Sequence, residues 1–239
     1  WHPVYLLQPF YNVLLMLFFE WGVAVHDLDF EAIRKGTKSK RQVRDELKSI
    51  GTKIGRQFVK DYVVFPALSG RKGFKRTLLA NVTANLVRNV WSNAIIFCGH
   101  FPDQAYTFTE EEASDDRKGA WYVRQLIGAA NIDGGSFFHF MSGNLSYQVE
   151  HHLYPDMPSS RYNEIAPRVK EICERYGLPY NTGPFRKQWG SVQRTLIRLA
   201  FPGGKTRPKA PPYKPPAEPS ANGGANGAVE AEHRERVLS

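Results

Sequence analysis

VYLLQPFYNVLLMLFFEWGVAV, residues 4 to 25, decides how the rest of the chain is read. Only Gln8, Asn12 and Glu20 interrupt its apolar character. A helix needs about 20 such residues to cross the hydrocarbon of a bilayer, so the stretch predicts membrane-embedded helix. The mean hydropathy of −0.43 hides this, because the apolar residues are bunched into a few runs. No charged segment precedes the run and the chain starts on Trp1, so it does not read as a secretory leader. The chain is expected to be a fragment of a longer protein.

A second apolar stretch, TLLANVTANLVRNVWSNAIIFCG, covers residues 77 to 99. Asn81, Asn85, Asn89 and Asn93 recur in it every four residues, with Arg88 and Ser92 beside them. Polar side chains are costly against lipid, so this face is expected to point into a bundle or a polar cavity. His100 stands at the end of the stretch, about two turns after Asn93 and close to the same face.

Between the two stretches lies a basic block. From Glu31 to Arg76, fourteen Lys and Arg face Glu31, Asp45, Glu46 and Asp61, an excess of ten in a chain of net charge +9. Val43, Leu47, Ile50, Ile54 and Phe58 recur at helical spacing, while Arg44, Lys48, Lys53, Arg56 and Lys60 occupy other faces. This describes a basic amphipathic helix that lies on anionic lipid or packs its stripe on the protein's own core. No nucleic-acid motif accompanies the block, and nucleic acid is not expected as a partner. Lysine-rich segments favour the cytoplasm. To bring the block and His100 to one side, either the first apolar segment dips in and out of the bilayer or residues 54 to 70 supply a further short membrane-entering segment, the second being preferred.

SYQVEHHLYP, residues 146 to 155, carries the densest chemistry. On a helix Gln148, His151 and His152 stand at i, i+3 and i+4 and share a face, an arrangement that suits metal ligation. Three donors do not complete a site, so others must converge on it. Asn144 precedes Gln148 by four residues and is placed on the same face, a structural hydrogen bond being the alternative. His139 lies among aromatics and is expected to be a satisfied core residue. His2 and His26 are expected at interfaces, and His233 is discounted. Cys98 and Cys173 show no disulfide or CxxC pattern, which fits a reducing, cytoplasm-facing setting.

The rest reads as a cap and a tail. EEEASDD, residues 110 to 116, lacks calcium-loop spacing and is expected to be an exposed turn. Trp121, Tyr122, Arg124 and Leu126 suit an interfacial helix. Ser159 or Ser160 is expected to cap a helix whose stripe runs from Tyr162 to Tyr176. From residue 203 to 239 the chain is rich in Pro, Gly and Ala and is expected to be disordered, leaving residues 1–202 as one domain.

GNLSYQVEHHLYP, with MPSSRY after it, resembles the third histidine box of membrane fatty-acid desaturases, in the subgroup where it reads Gln-x-x-His-His. GHFPD, residues 99 to 103, carries His100, which resembles the extra histidine that the family places at the cytoplasmic end of a membrane helix. The resemblance implies an all-α integral membrane protein, transmembrane helices with a cytoplasmic helical cap and a histidine-ligated di-iron site. It implies two non-haem iron ions, with His100, His151 and His152 as ligands, His151 and His152 catalytic, and Gln148 giving either a carbonyl oxygen to the metal or only a hydrogen bond behind the ligands; Asn93 and Asn144, from their spacing, are placed behind them. The implied reaction is O2-dependent desaturation of a fatty acyl chain carried on coenzyme A or on lipid. Membrane lipid and a separate electron donor (ferredoxin, cytochrome or reductase) are the implied partners.

The family's earlier boxes, His-x-x-x-His and His-x-x-His-His, do not occur here and are expected upstream of Trp1. This fragment alone is expected to be inactive. No His-Pro-Gly-Gly haem motif is present, since His2 and Pro3 are followed by Val4. Two other readings stay open: a related membrane hydroxylase with the same iron shell, and a non-enzymatic basic membrane-surface protein whose QVEHH is structural or binds zinc.

Overall fold

The computed structural model describes residues 1–205 apart from Asp27, Asp115 and Asp116. All but the first three residues of the Pro, Gly and Ala-rich tail therefore lie outside the described residues, as does His233. The predicted first apolar segment folds as two helices, α1 (Gln8–Leu17) and α2 (Phe19–His26), after a 3-10 turn whose Val4 N–H donates to His2 Nδ1. A short α3 (Phe30–Arg34) follows. The basic helix α4 (Lys40–Val59) begins on a reciprocal cap: Ser39 Oγ accepts from Gln42 N–H, and the Gln42 side chain accepts from Ser39 N–H. It runs through a π-helical turn (Lys60–Val64) into α5 (Phe65–Leu68). Gly70, at φ +72°, then reverses the chain into α6 (Gly70–His100). Only glycine adopts that left-handed conformation without strain.

α5 and the π turn pack back along α6, so residues 54 to 70 form one leg of a helical hairpin. The asparagine stripe of α6 explains how the broken helices are tolerated. Asn81 Nδ2 donates to Asp61 O at 2.6 Å. Asn85 Nδ2 donates to Asp61 Oδ2 at 3.3 Å and to Tyr62 Oη at 2.9 Å. Both asparagines thus hold the π turn. Asn89 Nδ2 donates to Leu17 O at 2.9 Å, while its Oδ1 accepts from Glu20 N–H at 3.4 Å. That pair spans the break between α1 and α2. Backbone groups released by a helix break need partners, most of all away from water, and this stripe supplies them. Glu20 also accepts from Gln57 and forms an ion pair with Arg88.

Among the described residues no single helix is long and apolar enough to cross a membrane, and residues 3–17 with 19–25 qualify only as a pair bent by 102°. The stripe that staples these breaks is what lowers the hydropathy of α6.

Beyond α6 the cap contains α7 (Glu110–Ala113), α8 (Lys118–Ile127), β1 (Asn131–Asp133), α9 (Ser136–Met141), α10 (Gln148–Leu153), α11 (Tyr162–Arg175), β2 (Thr182–Pro184) and α12 (Phe185–Ala200). Within the expected exposed turn, residues 112–114 are exposed and α7 forms one turn capped by Thr109 and Glu112, while Asp115 and Asp116 lie outside the described residues. The chain is mostly helical, as expected, with one short addition: β1 and β2 pair in parallel, Asn131 opposite Thr182 and Asp133 opposite Pro184. Strands of three residues leave no period in the sequence. Neither Ser159 nor Ser160 caps α11 with its side chain; a 3-10 turn, Ser159–Arg161, leads into it instead.

Two apolar clusters hold the cap. Leu126, Ile127, Val149, Leu153, Val169 and Cys173 join α8, α10 and α11. Ile95, Cys98 and Ile132, flanked by Trp91, Phe138 and Phe185, join α6 to the cap. Burying a Val or Leu side chain contributes roughly 1.5–3 kcal/mol, so Val149 and Leu153 fix α10 firmly in the first cluster. Both cysteines are free and buried.

Candidate metal centre

The site forms where the C-terminal end of α6 meets α10. Gly99 permits the approach, since a Cβ there would lie 2.7 Å from Gln148 Cγ. The next residue, His100, donates its Nδ1–H to Ile96 O at 2.7 Å, and a carbonyl can only accept. His152 donates its Nδ1–H to Gln125 Oε1 at 3.1 Å. Each imidazole therefore keeps a bare lone pair on Nε2, and the two Nε2 atoms face each other 3.1 Å apart.

Two lone pairs repel at that distance unless a cation or a proton stands between them. Two imidazoles bound cis on one metal ion, with metal–nitrogen bonds of about 2.1 Å, have their nitrogens about 3.0 Å apart at a right angle and about 3.4 Å apart at a tetrahedral one. The observed separation falls between these values. His151, on the same helix, donates its Nδ1–H to Tyr162 Oη at 3.1 Å, and Tyr162 in turn donates to Tyr154 O at 3.4 Å. The His151 and His152 rings lie 5.9 Å apart at 82°, aimed in different directions. All three histidines thus share the tautomer that metal-binding histidines adopt, with the second nitrogen tied to an acceptor.

Burial pushes the His152 imidazole down to about 4, with charge at His100 and then at His151 adding to the effect. Burial and His100 lower His151 as well. Neutral imidazoles are the ligating form. Gln148 is buried and its Oε1 has no partner; Asn93 is buried and neither of its amide atoms has one. Among the described residues no group of three His, Cys, Asp or Glu side chains gathers as a ligand cluster. The chain brings together His100 and His152, sets His151 and Gln148 alongside, and leaves Asn93 lower on α6.

Asn144 departs from its expected place. Helix α10 starts only at Gln148, and Asn144 sits in the preceding turn at φ +61°, its N–H donating to His139 O. It therefore does not share the histidine face. His139 is a structural residue as expected, with Nδ1 2.7 Å from Ser146 Oγ and its ring stacked on Tyr147 at 4.6 Å.

Sequence reasoning missed Gln125, Tyr162 and a buried network below the box. Glu150, with no solvent exposure, accepts from Asn131 Nδ2 at 2.8 Å and from Tyr180 Oη at 2.7 Å. Asn131 Oδ1 accepts from Val149 N–H at 2.8 Å, and Asn131 O accepts from Gln188 Nε2. Burial raises the Glu150 carboxyl, and the Tyr180 and Asn131 hydrogen bonds oppose that rise. One signal was available: Glu150 lies between Val149 and Leu153 on the inward side of the box, where a carboxylate must find donors.

With this geometry the chain can be placed among known proteins. The family model for fatty acid desaturases matches residues 3–184, and the chain belongs to that family. It is 47% identical over 213 residues to the NADPH-dependent stearoyl-CoA 9-desaturase of Mycobacterium tuberculosis, covering 88% of this chain and 50% of the relative. It is 31% identical over 124 residues to fatty acid desaturase 3 of Homo sapiens, covering 52% of this chain and 26% of that one. With the acyl-lipid (9-3)-desaturase of Borago officinalis it shares 37% over 80 residues, covering 34% and 18%. The chain spans about half the length of the mycobacterial relative. No solved structure matches it.

Proposed function

We propose that this protein is a membrane-bound desaturase that introduces a double bond into a fatty acyl chain, using O2 and a non-haem di-iron centre on the cytoplasmic face. The observation that carries the reading is the pair of bare Nε2 atoms of His100 and His152 at cis-ligand distance. His100, His151 and His152 would hold iron through Nε2, and the unpartnered Gln148 Oε1 would be a further neutral donor. Three histidines and a glutamine are too few for two irons, so we assign the remaining ligands to polypeptide outside this chain.

When bound, iron supplies the O2 activation that removing hydrogen from an unactivated methylene demands. Two hydrogens leave neighbouring acyl carbons, two electrons arrive from a donor with two protons from solvent, and O2 leaves as two waters. The contribution of this chain is orientation. Ile96 O, Gln125 and Tyr162 fix the three imidazoles, and Glu150 anchors the helix that carries two of them. The name of the mycobacterial relative supports stearoyl-CoA as the kind of substrate and NADPH as the distal reductant, delivered through a separate carrier. Exposed apolar side chains such as Phe10, Leu68 and Val87 support bilayer contact along α1, α5 and α6.

The test is iron stoichiometry and acyl product in the full-length protein. His152→Ala should lose iron and desaturation together, with its membrane content unchanged. Retention of full iron by that variant would sink the reading.

A further inference from the structure

The loop that leads into the histidine box turns three large apolar side chains outward. α9 exposes Phe137 at 76%, Phe140 at 76% and Met141 at 48%. Its inner side is anchored instead: Phe138 packs edge-on against Trp91 at 5.7 Å and lies 5.8 Å from Phe185. Six residues therefore divide into a packed face and a bare one. From Gly134 to Val149 the sequence holds no Asp, Glu, Lys or Arg, although Asp133 and Glu150 bracket it. The second half of that stretch is mostly buried, but its exposed part, residues 134–137 with 140, 141 and 143, also carries no charge.

The height of α9 in the molecule adds a second observation. Trp91 Nε1 donates to Met141 O at 2.9 Å, so α9 lies level with Trp91. Trp91 precedes His100 by nine residues, which at 1.5 Å per residue sets it about 13 Å below the histidine end of α6. The cap thus dips down along the side of α6. Next to it opens an apolar cavity of about 530 Å³ lined by Val87, Val90, Trp91, Ala94, Phe185 and Trp189. Bare face and cavity share Trp91 and Phe185 as their border.

We propose that Phe137, Phe140 and Met141 form a wedge inserted among lipid acyl chains, so that the loop before the histidine box is itself held by the bilayer. The inference rests on the membrane reading above, and the occupant is lipid rather than protein. Large apolar side chains in a charge-free loop at that depth match the interfacial anchoring of aromatic residues. The wedge is tied to the box by short steps. Asn144 N–H and Ser142 Oγ both donate to His139 O, and the His139 ring meets Ser146, two residues before Gln148.

The experiment is site-directed spin labelling of the full-length protein in phosphatidylcholine vesicles. Cys98 and Cys173 are replaced by Ala, and single nitroxides are attached at Phe137→Cys and Phe140→Cys. Val87→Cys on α6 is the lipid reference, and Glu174→Cys on α11 is the aqueous one. Collision with O2 and with a neutral nickel chelate is read at each site. The wedge predicts that positions 137 and 140 follow position 87, with several-fold higher access to O2 than to nickel. Access like that at position 174 would overturn it in favour of water. Shielding from both reagents would overturn it in favour of covering polypeptide. If position 87 itself admitted nickel freely, the membrane reading would fall and the wedge with it, an outcome separate from failure at 137 and 140 alone.

Discussion

Gly99 is the smallest residue at the centre and the one on which the approach of α6 to α10 depends. A methyl group there meets Gln148 Cγ at 2.7 Å and Cβ at 3.1 Å, both near the stem of a side chain that cannot swing away. Gly99→Ala should push α10 outward and part His100 from His152. We expect a loss of roughly 1–3 kcal/mol from overpacking and a marked fall in bound iron, measured by thermal melting and metal analysis of full-length protein. Tyr162 acts one atom further out. Tyr162→Phe removes the acceptor of His151 Nδ1–H and keeps the ring, so the fold should survive while iron affinity falls about 10–100-fold. A metal titration reads this directly, and unchanged affinity would reduce Tyr162 to packing.

At the scale of elements, the asparagine stripe behaves as a set of staples and not as a uniform polar face. Asn89→Leu leaves Leu17 O and Glu20 N–H without their partner at the break between α1 and α2. It should cost about 1–3 kcal/mol for each buried group left unpaired. Asn93→Leu removes an amide that has no protein partner, and it should leave the melting temperature nearly unchanged. Comparing the two variants in detergent separates stapling from general polarity. This difference also marks what the sequence made legible. Spacing placed Gln148, His151 and His152 on one helical face and aimed the α6 stripe inward, because both are properties of a 3.6-residue period. It misplaced Asn144, since a left-handed turn residue ends that period before the box. It did not separate Asn89 from Asn93, because the partners of these residues come from segments about seventy positions earlier or are absent. Gln125 and Tyr162 carried no local mark for the same reason: each is defined only by the imidazole it meets.

For the whole molecule, a metal held at the proposed centre would couple binding to folding, because His100 and His152 join α6 to α10. Stripping iron from the full-length protein with a chelator should lower its melting temperature. Metal present at about 100 times its dissociation constant contributes about 2.7 kcal/mol, which for a chain the length of the mycobacterial relative corresponds to roughly 3 °C. Added ferrous iron should restore the loss, and His152→Ala should show neither response. Calorimetry or fluorescence melting of the three samples checks this. Asn131 has a consequence in time as well as in space. It grips the box through Val149 and Glu150, and it is itself gripped by Tyr180 and by Gln188, which lies 57 residues after it. Synthesis proceeds from the amino terminus at about 5–20 residues per second, so the histidines leave the ribosome seconds before the residues that fix their helix. During that interval the nascent chain carries a box it cannot yet close, its histidines still without the frame that Tyr180 and Gln188 complete.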